Sequence, residues 1–219
     1  MALVFPLSVA GFLDELPVQS VSFQCPELVE MSQTAGGDLI TGNIGNRLWQ
    51  GEIMLGRLTR AETQDAQVLI DAVRGACRSF MAYHTTYPYP KADPSGSLLG
   101  VASPQIKALD ADTRLISLKG LPAGYVLGRG DYLSFDYRTS PTRFALHRIV
   151  DASVIANGFG ETALFEVIPN IRSGASANTA VSLAKPHCKA LIVPGAVQPG
   201  RQTRFMTDGM SFQFQQTLR

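Results

Sequence analysis

Apolar and polar residues alternate with a period of two along much of the chain, which is the pattern of β-strands that bury one face. The segment DYLSFDY, for example, places Leu133, Phe135 and Tyr137 on one face, with Ser134 and Asp136 on the face predicted to meet water. The clearest candidate strands are RLWQGEIML (47–55), DYLSFDY (131–137), TALFEVI (162–168) and GMSFQFQQ (209–216). Weaker candidates are VQSVSFQC (18–25), RSFMAYH (78–84), TRLISLK (113–119), RFALHRIV (143–150), TAVSL (179–183) and KALIV (189–193). The sequence therefore predicts a mainly β protein.

One segment, TRAETQDAQVLIDAVRG, has a helical period instead. Thr59 and Glu62 have the capping-box spacing, in which each side chain satisfies a backbone N–H of the other. Apolar side chains then recur at positions i, i+3, i+4 and i+7, namely Ala66, Leu69, Ile70 and Val73. Gly75 follows as a C-terminal cap. The pattern predicts one amphipathic α-helix at about 59–74.

Glycine- and proline-rich stretches divide the chain. SQTAGGDLITGNIGN (32–46) contains four glycines and is interpreted as a loop, and YPYPKADPSGSLLG (87–100) is typical of a domain boundary. Residues 194–202, PGAVQPGRQ, are also interpreted as a connection. We therefore expect a small all-β barrel at 91–186, inserted into a β-barrel or β-sandwich host domain formed by 1–90 and 187–219.

Composition narrows the choice of function. The 219 residues can bury a core without a disulfide or a metal, and the net charge of +1 gives no general attraction to nucleic acid or membranes. Three widely spaced cysteines predict no disulfide framework. The apolar N-terminus lacks the basic start of a signal peptide, and it is interrupted too early to span a membrane.

The charges are distributed unevenly along the chain. No Lys or Arg precedes Arg47, whereas five acidic residues do. From Lys185 onward, five basic residues are balanced only by Asp208. Most such runs are solvated faces. The alternative is that opposite ends of the chain meet, within one subunit or between neighbours.

Motifs with possible chemistry are few. Arg129-Gly130-Asp131 precedes an alternating strand and is interpreted as a turn at a strand entry. His187 and Cys188 are adjacent, so in a strand they point to opposite faces and cannot readily bind one metal ion. The sequence predicts no catalytic, metal-binding or cofactor-binding residues. A hydrolase that uses His187 and Cys188 remains an open alternative.

The aromatic residues leave a second alternative open. The run YHTTYPYP (83–90) is interpreted as a linker whose rings pack on a neighbouring domain, although tyrosines can also form a stacking platform. A carbohydrate-binding module assisting attachment to the host surface would need Tyr125, Tyr132 or Tyr137 to be exposed. Because Tyr137 shares its predicted face with Leu133 and Phe135, a core position is favoured.

The order of these segments resembles the distal tail protein family of long-tailed bacteriophages. The resemblance lies in LWQGEIML, the capped helix, CRSFMAYHT and the proline-rich exit, followed by LISLKGLPAGYVLGRGDYLSF and RFALHRIVDASVIANGFGETALFEVIPNIR. It implies a β-sandwich or barrel that bears one helix, together with a second β module of oligonucleotide-binding or galectin-like type. The family has no active site that could be transferred to this chain.

The resemblance also implies a place in the virion. We expect a homo-oligomeric ring, most simply a hexamer, between the tail tube protein and the tip or baseplate hub protein, near the tape measure protein, with a central channel for DNA. Neither specific nucleic-acid binding nor a membrane association is expected. Candidate subunit-interface residues are Asp38, Leu39, Ile40, Arg47, Arg201 and Arg204.

Overall fold

A computed structural model describes residues 3–219, and it confirms a mainly β fold with 43% strand and 8% helix. The strands are β1 (Val18–Gln24), β2 (Val29–Gln33), β3 (Leu39–Asn43), β4 (Gln50–Leu55), β5 (Leu58–Thr59), β6 (Phe80–Tyr83), β7 (Gln105–Leu109), β8 (Leu115–Lys119), β9 (Val126–Gly128), β10 (Tyr132–Tyr137), β11 (Arg143–Ile149), β12 (Ser153–Ile155), β13 (Phe165–Ile168), β14 (Val181–Ser182), β15 (His187–Gln202) and β16 (Met206–Gln216). A short 3₁₀ helix spans Leu13–Glu15, and the α-helix α1 spans Arg60–Val73.

The first sheet has the strand order β1-β4-β16-β15-β6, and β5 pairs with the N-terminal end of β16. Alternation places Trp49, Ile53 and Leu55 inside, where they pack with Phe212 and Phe214 from the neighbouring β16. Large aromatic side chains dominate this core because each one removes much apolar surface from water.

Helix α1 begins with the capping box that its sequence predicts, and it ends at Val73, where Arg74 in extended conformation is the C-cap in place of the predicted Gly75. The Thr59 hydroxyl oxygen accepts a hydrogen bond from the Glu62 N–H at 3.4 Å, and the Glu62 carboxylate accepts one from the Thr59 N–H at 2.8 Å. Ala66, Ile70 and Val73 are buried against the first sheet. The capping box stabilises the start of the helix, and the apolar stripe packs the helix on the sheet. Both matter because a helix of this length is marginal by itself.

The second sheet has the strand order β14-β10-β11-β13-β8-β7 and forms a nearly closed barrel. Its two edge strands approach each other: the Ile106 N–H donates to the Thr179 carbonyl at 2.9 Å, and the Val181 N–H donates to the Pro104 carbonyl at 2.9 Å. These bonds satisfy edge groups that would otherwise be unpaired. A separate hydrophobic core fills this barrel.

The two cores adjoin where β10 and β11 meet the first sheet. Tyr132 and Leu146 pack in the first core although most of their strands' apolar residues lie in the second. The indole N–H of Trp49 donates to the Leu146 carbonyl at 2.7 Å. The expectation that Ser134 faces water was wrong, because the side chain is buried. Period-two reasoning could not reveal that part of β10 is covered on both faces.

Two loop interpretations were also wrong. Residues 32–46 do not form a simple loop, since β3 pairs with β2 in a regular antiparallel hairpin. Residues 194–202 belong to the long strand β15, which remains paired with β16 beyond a register shift at 192–197. Glycines suggested a connection in residues 32–46, and glycines with prolines suggested one in residues 194–202, but backbone pairing overrode that local preference.

Candidate assembly surfaces

The hairpin of β2 and β3, which we call the acidic arm (residues 27–46), pairs with no other strand in the part of the chain that the structure describes. Nearly all of its residues are exposed, including Met31, Leu39 and Ile40, whose exposed fractions are 68%, 62% and 59%. It contains Glu27, Glu30 and Asp38 but no Lys or Arg. Large apolar side chains on both faces of an isolated hairpin are typical of an interaction surface.

The base of the arm is fastened within the chain. The Arg47 guanidinium donates to the Cys25 carbonyl from Nη2 at 2.7 Å and from Nε at 3.2 Å, and the Ile44 N–H donates to the Leu28 carbonyl at 2.9 Å. Arg47 therefore closes the foot of the arm, whereas Asp38 lies in the turn at its tip. The structure separates these two predicted interface residues by the length of the arm.

The turn joining β15 and β16, with the strand ends beside it, forms a second exposed surface, which we call the basic tip (residues 199–207). Arg204 stacks over the Phe205 ring at 5.4 Å, and Phe205 is 73% exposed. Arg201 lies opposite Asp208 in the strand register, while the Asp208 carboxylate contacts Arg57 at 3.6 Å. Within residues 3–219, neither Arg201 nor Arg204 forms an ion pair.

The arm and the tip lie at opposite ends of the first sheet. The arm leaves and re-enters this sheet where Gln24 pairs with Gln50, and Gln215 pairs with the same residue from the other side. The basic tip lies at the far end of β16, where Met206 pairs with Thr59. The nine residue steps from Met206 to Gln215 along β16 correspond to roughly 30 Å. The acidic and basic surfaces of one chain are thus held apart.

An acidic residue near the N-terminus does contact a basic residue from the C-terminal part of the chain. The Lys185 ammonium contacts the Asp14 carboxylate at 2.5 Å, and the Tyr83 hydroxyl donates to the same carboxylate at 2.7 Å. Burial acts to raise the pKa of Asp14, but the Lys185 and Tyr83 hydrogen bonds outweigh it and lower that pKa. This acidic N-terminal residue is therefore neutralised within the chain and is not offered to a partner.

The Arg129-Gly130-Asp131 segment and the residues considered for catalysis take part in turns and in packing. Arg129 and Gly130 lie in a turn, and the Asp131 carboxylate accepts a hydrogen bond from the Gly128 N–H at 2.7 Å as β10 begins. Cys188 is fully buried, and burial raises the pKa of its thiol, so the nucleophilic thiolate is disfavoured. His187 lies next to it on β15 and is half-buried, with its Nδ1 at 3.0 Å from the Lys185 carbonyl.

The tyrosines of the carbohydrate-binding alternative are not presented to solvent. Tyr125, Tyr132 and Tyr137 are each at least 95% buried. Tyr87 is more exposed, and its ring packs against the His84 imidazole with centroids 4.5 Å apart. These rings contribute to packing between chain segments, and the three barrel tyrosines offer no stacking platform for a sugar.

No protein-family model matches the chain, and no curated protein matches it. Within the described residues, no helix is long and apolar enough to cross a membrane. Across the same range, no group of three or more His, Cys, Asp or Glu side chains is placed to hold a metal ion. Function is therefore inferred from the geometry and charge of the chain itself.

Proposed function

We propose that this protein is a structural subunit of a phage tail, forming a ring between the tail tube and the tip or baseplate hub. The observation that best supports this proposal is the placement of the acidic arm and the basic tip at opposite ends of one sheet. Two different surfaces that complement each other generate a head-to-tail contact, which closes into a ring when the rotation between copies allows it.

The chemistry of the two surfaces fits such a contact. The arm presents Met31, Leu39 and Ile40 beside acidic residues, and the tip presents Phe205 beside Arg201 and Arg204. Burying the apolar side chains would supply most of the free energy of association. The opposite charges would select the partner and its register, and would speed the encounter.

The surroundings of the ring follow from the same proposal. The tail tube protein would stack on one face and the hub protein on the other, with the tape measure protein nearby. The ring would be assembled in the host bacterium and would remain in the virion, where its channel passes DNA. A net charge of +1 suits this role because a strongly basic lining would retain phosphate groups.

The proposal is tested by reversing the charge of the basic tip. We expect the purified protein to form a particle larger than the monomer in light scattering, with a ring visible by negative-stain microscopy. The double variant Arg201→Glu/Arg204→Glu should no longer form that particle at moderate salt. Its tip would be acidic like the arm, so the two surfaces would repel each other. Adding Glu30→Arg and Asp38→Arg to the same chain should restore it, because the charges are then exchanged.

A matched control changes the net charge equally at other sites. Lys119→Glu/Arg219→Glu alters a half-buried lysine of the second barrel and the exposed Arg219, both outside the arm and the tip, so it should assemble like the unmodified protein. Circular dichroism verifies the fold of each variant. A monomer at every concentration and salt tested, or a ring unaffected by the tip reversal, would contradict the proposed contact.

A further inference from the structure

A cleft of about 630 Å³ lies between the foot of the acidic arm and the second barrel. One wall comes from the arm and includes Val29, Met31 and Thr41. The other carries Arg47, together with Asn170 and Arg172 from the segment that follows β13. We call it the arginine cleft. Two of its lining residues also bear on the contact between the arm and the tip proposed above, since Met31 belongs to the arm's apolar surface and Arg47 supports the arm.

The two arginines are brought together by tertiary contacts. Arg172 Nη2 donates to the Arg47 carbonyl at 2.9 Å, while the Arg47 guanidinium turns back to the Cys25 carbonyl. Ile171, between Asn170 and Arg172, is buried in the second core. That buried neighbour anchors the segment and directs its polar residues to the cleft side, as expected of alternating residues in extended chain.

The positive charge here has no internal counterion. Within residues 3–219, Arg47 and Arg172 form no ion pair, although Glu27 also lines the cleft. Burial raises the pKa of the nearby half-buried Cys25 thiol, and the charges of Arg47, Arg172 and Arg148 oppose that rise. The two cleft arginines therefore raise the positive potential at the foot of the arm.

Much of the hydrogen-bonding capacity also remains unused. A guanidinium has five N–H donors in a planar fork that matches an oxyanion. Arg47 contributes two bonds and Arg172 one, all to backbone carbonyls, and Arg172 Nη1 is buried without a partner among the described residues. A desolvated cation without a partner is costly, whereas a bound oxyanion would satisfy both its charge and its donors.

We propose that the arginine cleft is a binding site for an oxyanion, either a phosphate or a carboxylate, held by Arg47 and Arg172. The cleft is larger than one such group, so it suits an anionic group attached to a larger molecule. Asn43, Asn46 and Asn170 line it as further hydrogen-bonding groups, and Val29 with Met31 provides an apolar wall.

The experiment uses two probes to separate the possible sources of the oxyanion. The full-length protein is titrated calorimetrically with sodium phosphate and, separately, with sodium succinate, against sodium chloride at matched ionic strength. Saturable binding of phosphate alone would identify a phosphoryl group, and binding of succinate alone would identify a carboxylate. Binding of both supports an oxyanion site without preference. Absence of saturable binding by either probe overturns the proposal.

Variants locate the binding. Arg172→Gln should weaken it by at least about tenfold, because a charge-assisted hydrogen bond and a cation are lost. Arg138→Gln is the matched control, since Arg138 also donates to a backbone carbonyl, that of Ser173, but lies outside the cleft. Arg172→Lys preserves the positive charge, and it replaces Arg172→Gln as the test variant if Arg172→Gln fails to fold. Equal binding by the unmodified protein, Arg172→Gln and Arg172→Lys would also overturn the site. The result does not depend on ring formation.

Discussion

His147 makes the stability of the second barrel depend on pH. Its imidazole is 98% buried and stacks on the Phe135 ring with centroids 5.3 Å apart. Nδ1 lies 2.7 Å from the Pro169 carbonyl, to which it donates, and Nε2 is buried without a partner among residues 3–219. Burial lowers the pKa of His147 from its ordinary value of 6.5 to about 4, with the nearby Arg172 charge acting in the same direction.

The direction of the pH effect follows from this lowered pKa. Above pH 6.5 the imidazole is neutral in both the folded and the unfolded chain, so its titration does not lower the free energy of unfolding. Below pH 6.5 the unfolded chain binds a proton that the folded chain refuses until about pH 4. For these two values, linkage predicts a loss of about 2 kcal/mol in unfolding free energy between pH 7 and pH 5.

Urea unfolding at pH 7 and pH 5 measures this loss. The only tryptophan, Trp49, is fully buried and reports unfolding by fluorescence. His147→Asn removes the titrating group while keeping a side-chain N–H donor. The variant should be less stable at pH 7, but its stability should fall less than that of the unmodified protein on going to pH 5, by about 2 kcal/mol.

Phe135→Leu is the matched control, because it removes the same stacking contact and keeps the imidazole. It should lower stability at both pH values and retain the full pH dependence. Carboxylates that titrate in this range contribute to every variant and cancel in the comparison. If His147→Asn loses as much stability as the unmodified protein between pH 7 and pH 5, the reasoning about His147 is refuted.

Two further predictions concern the first core. Thr59→Ala removes the helix cap and should lower the unfolding free energy by about 1 kcal/mol, whereas Thr59→Ser should have little effect; urea unfolding would contradict the cap if Ala and Ser behaved alike. Trp49→Phe leaves the Leu146 carbonyl without its donor and should cost roughly 1–3 kcal/mol, measured by circular dichroism melting; an unchanged melting temperature would show that this bond contributes nothing.

Local patterns in the sequence were sufficient for the helix and for most strands. The capping box at Thr59 and the stripe from Ala66 to Val73 both act within a few residues, so the bounds of α1 could be predicted closely. The alternation in residues 209–216 likewise identified β16, because one face of that strand meets a core. The turn at Arg129-Gly130-Asp131 was predictable for the same reason.

Local patterns failed where distant segments determine the environment. Ser134 is buried because part of β10 is covered on both faces. Residues 39–43 form a strand because residues 29–33 pair with them. Their glycines and polar residues indicated a loop when considered alone. Six interface candidates were proposed, four of them charged, but the sequence could not show that Asp38 and Arg204 lie at opposite ends of one sheet.

The sequence by itself thus determined the class of fold, the helix and the asymmetry of charge, since these depend on residue types and short-range spacing. Only the tertiary structure decided which charged surfaces are exposed and which groups meet. Arg47 and Arg172 are 125 positions apart in the chain, and no local pattern connects them. They become neighbours because the arm folds beside the second barrel, which is a consequence of long-range packing and not of spacing along the chain.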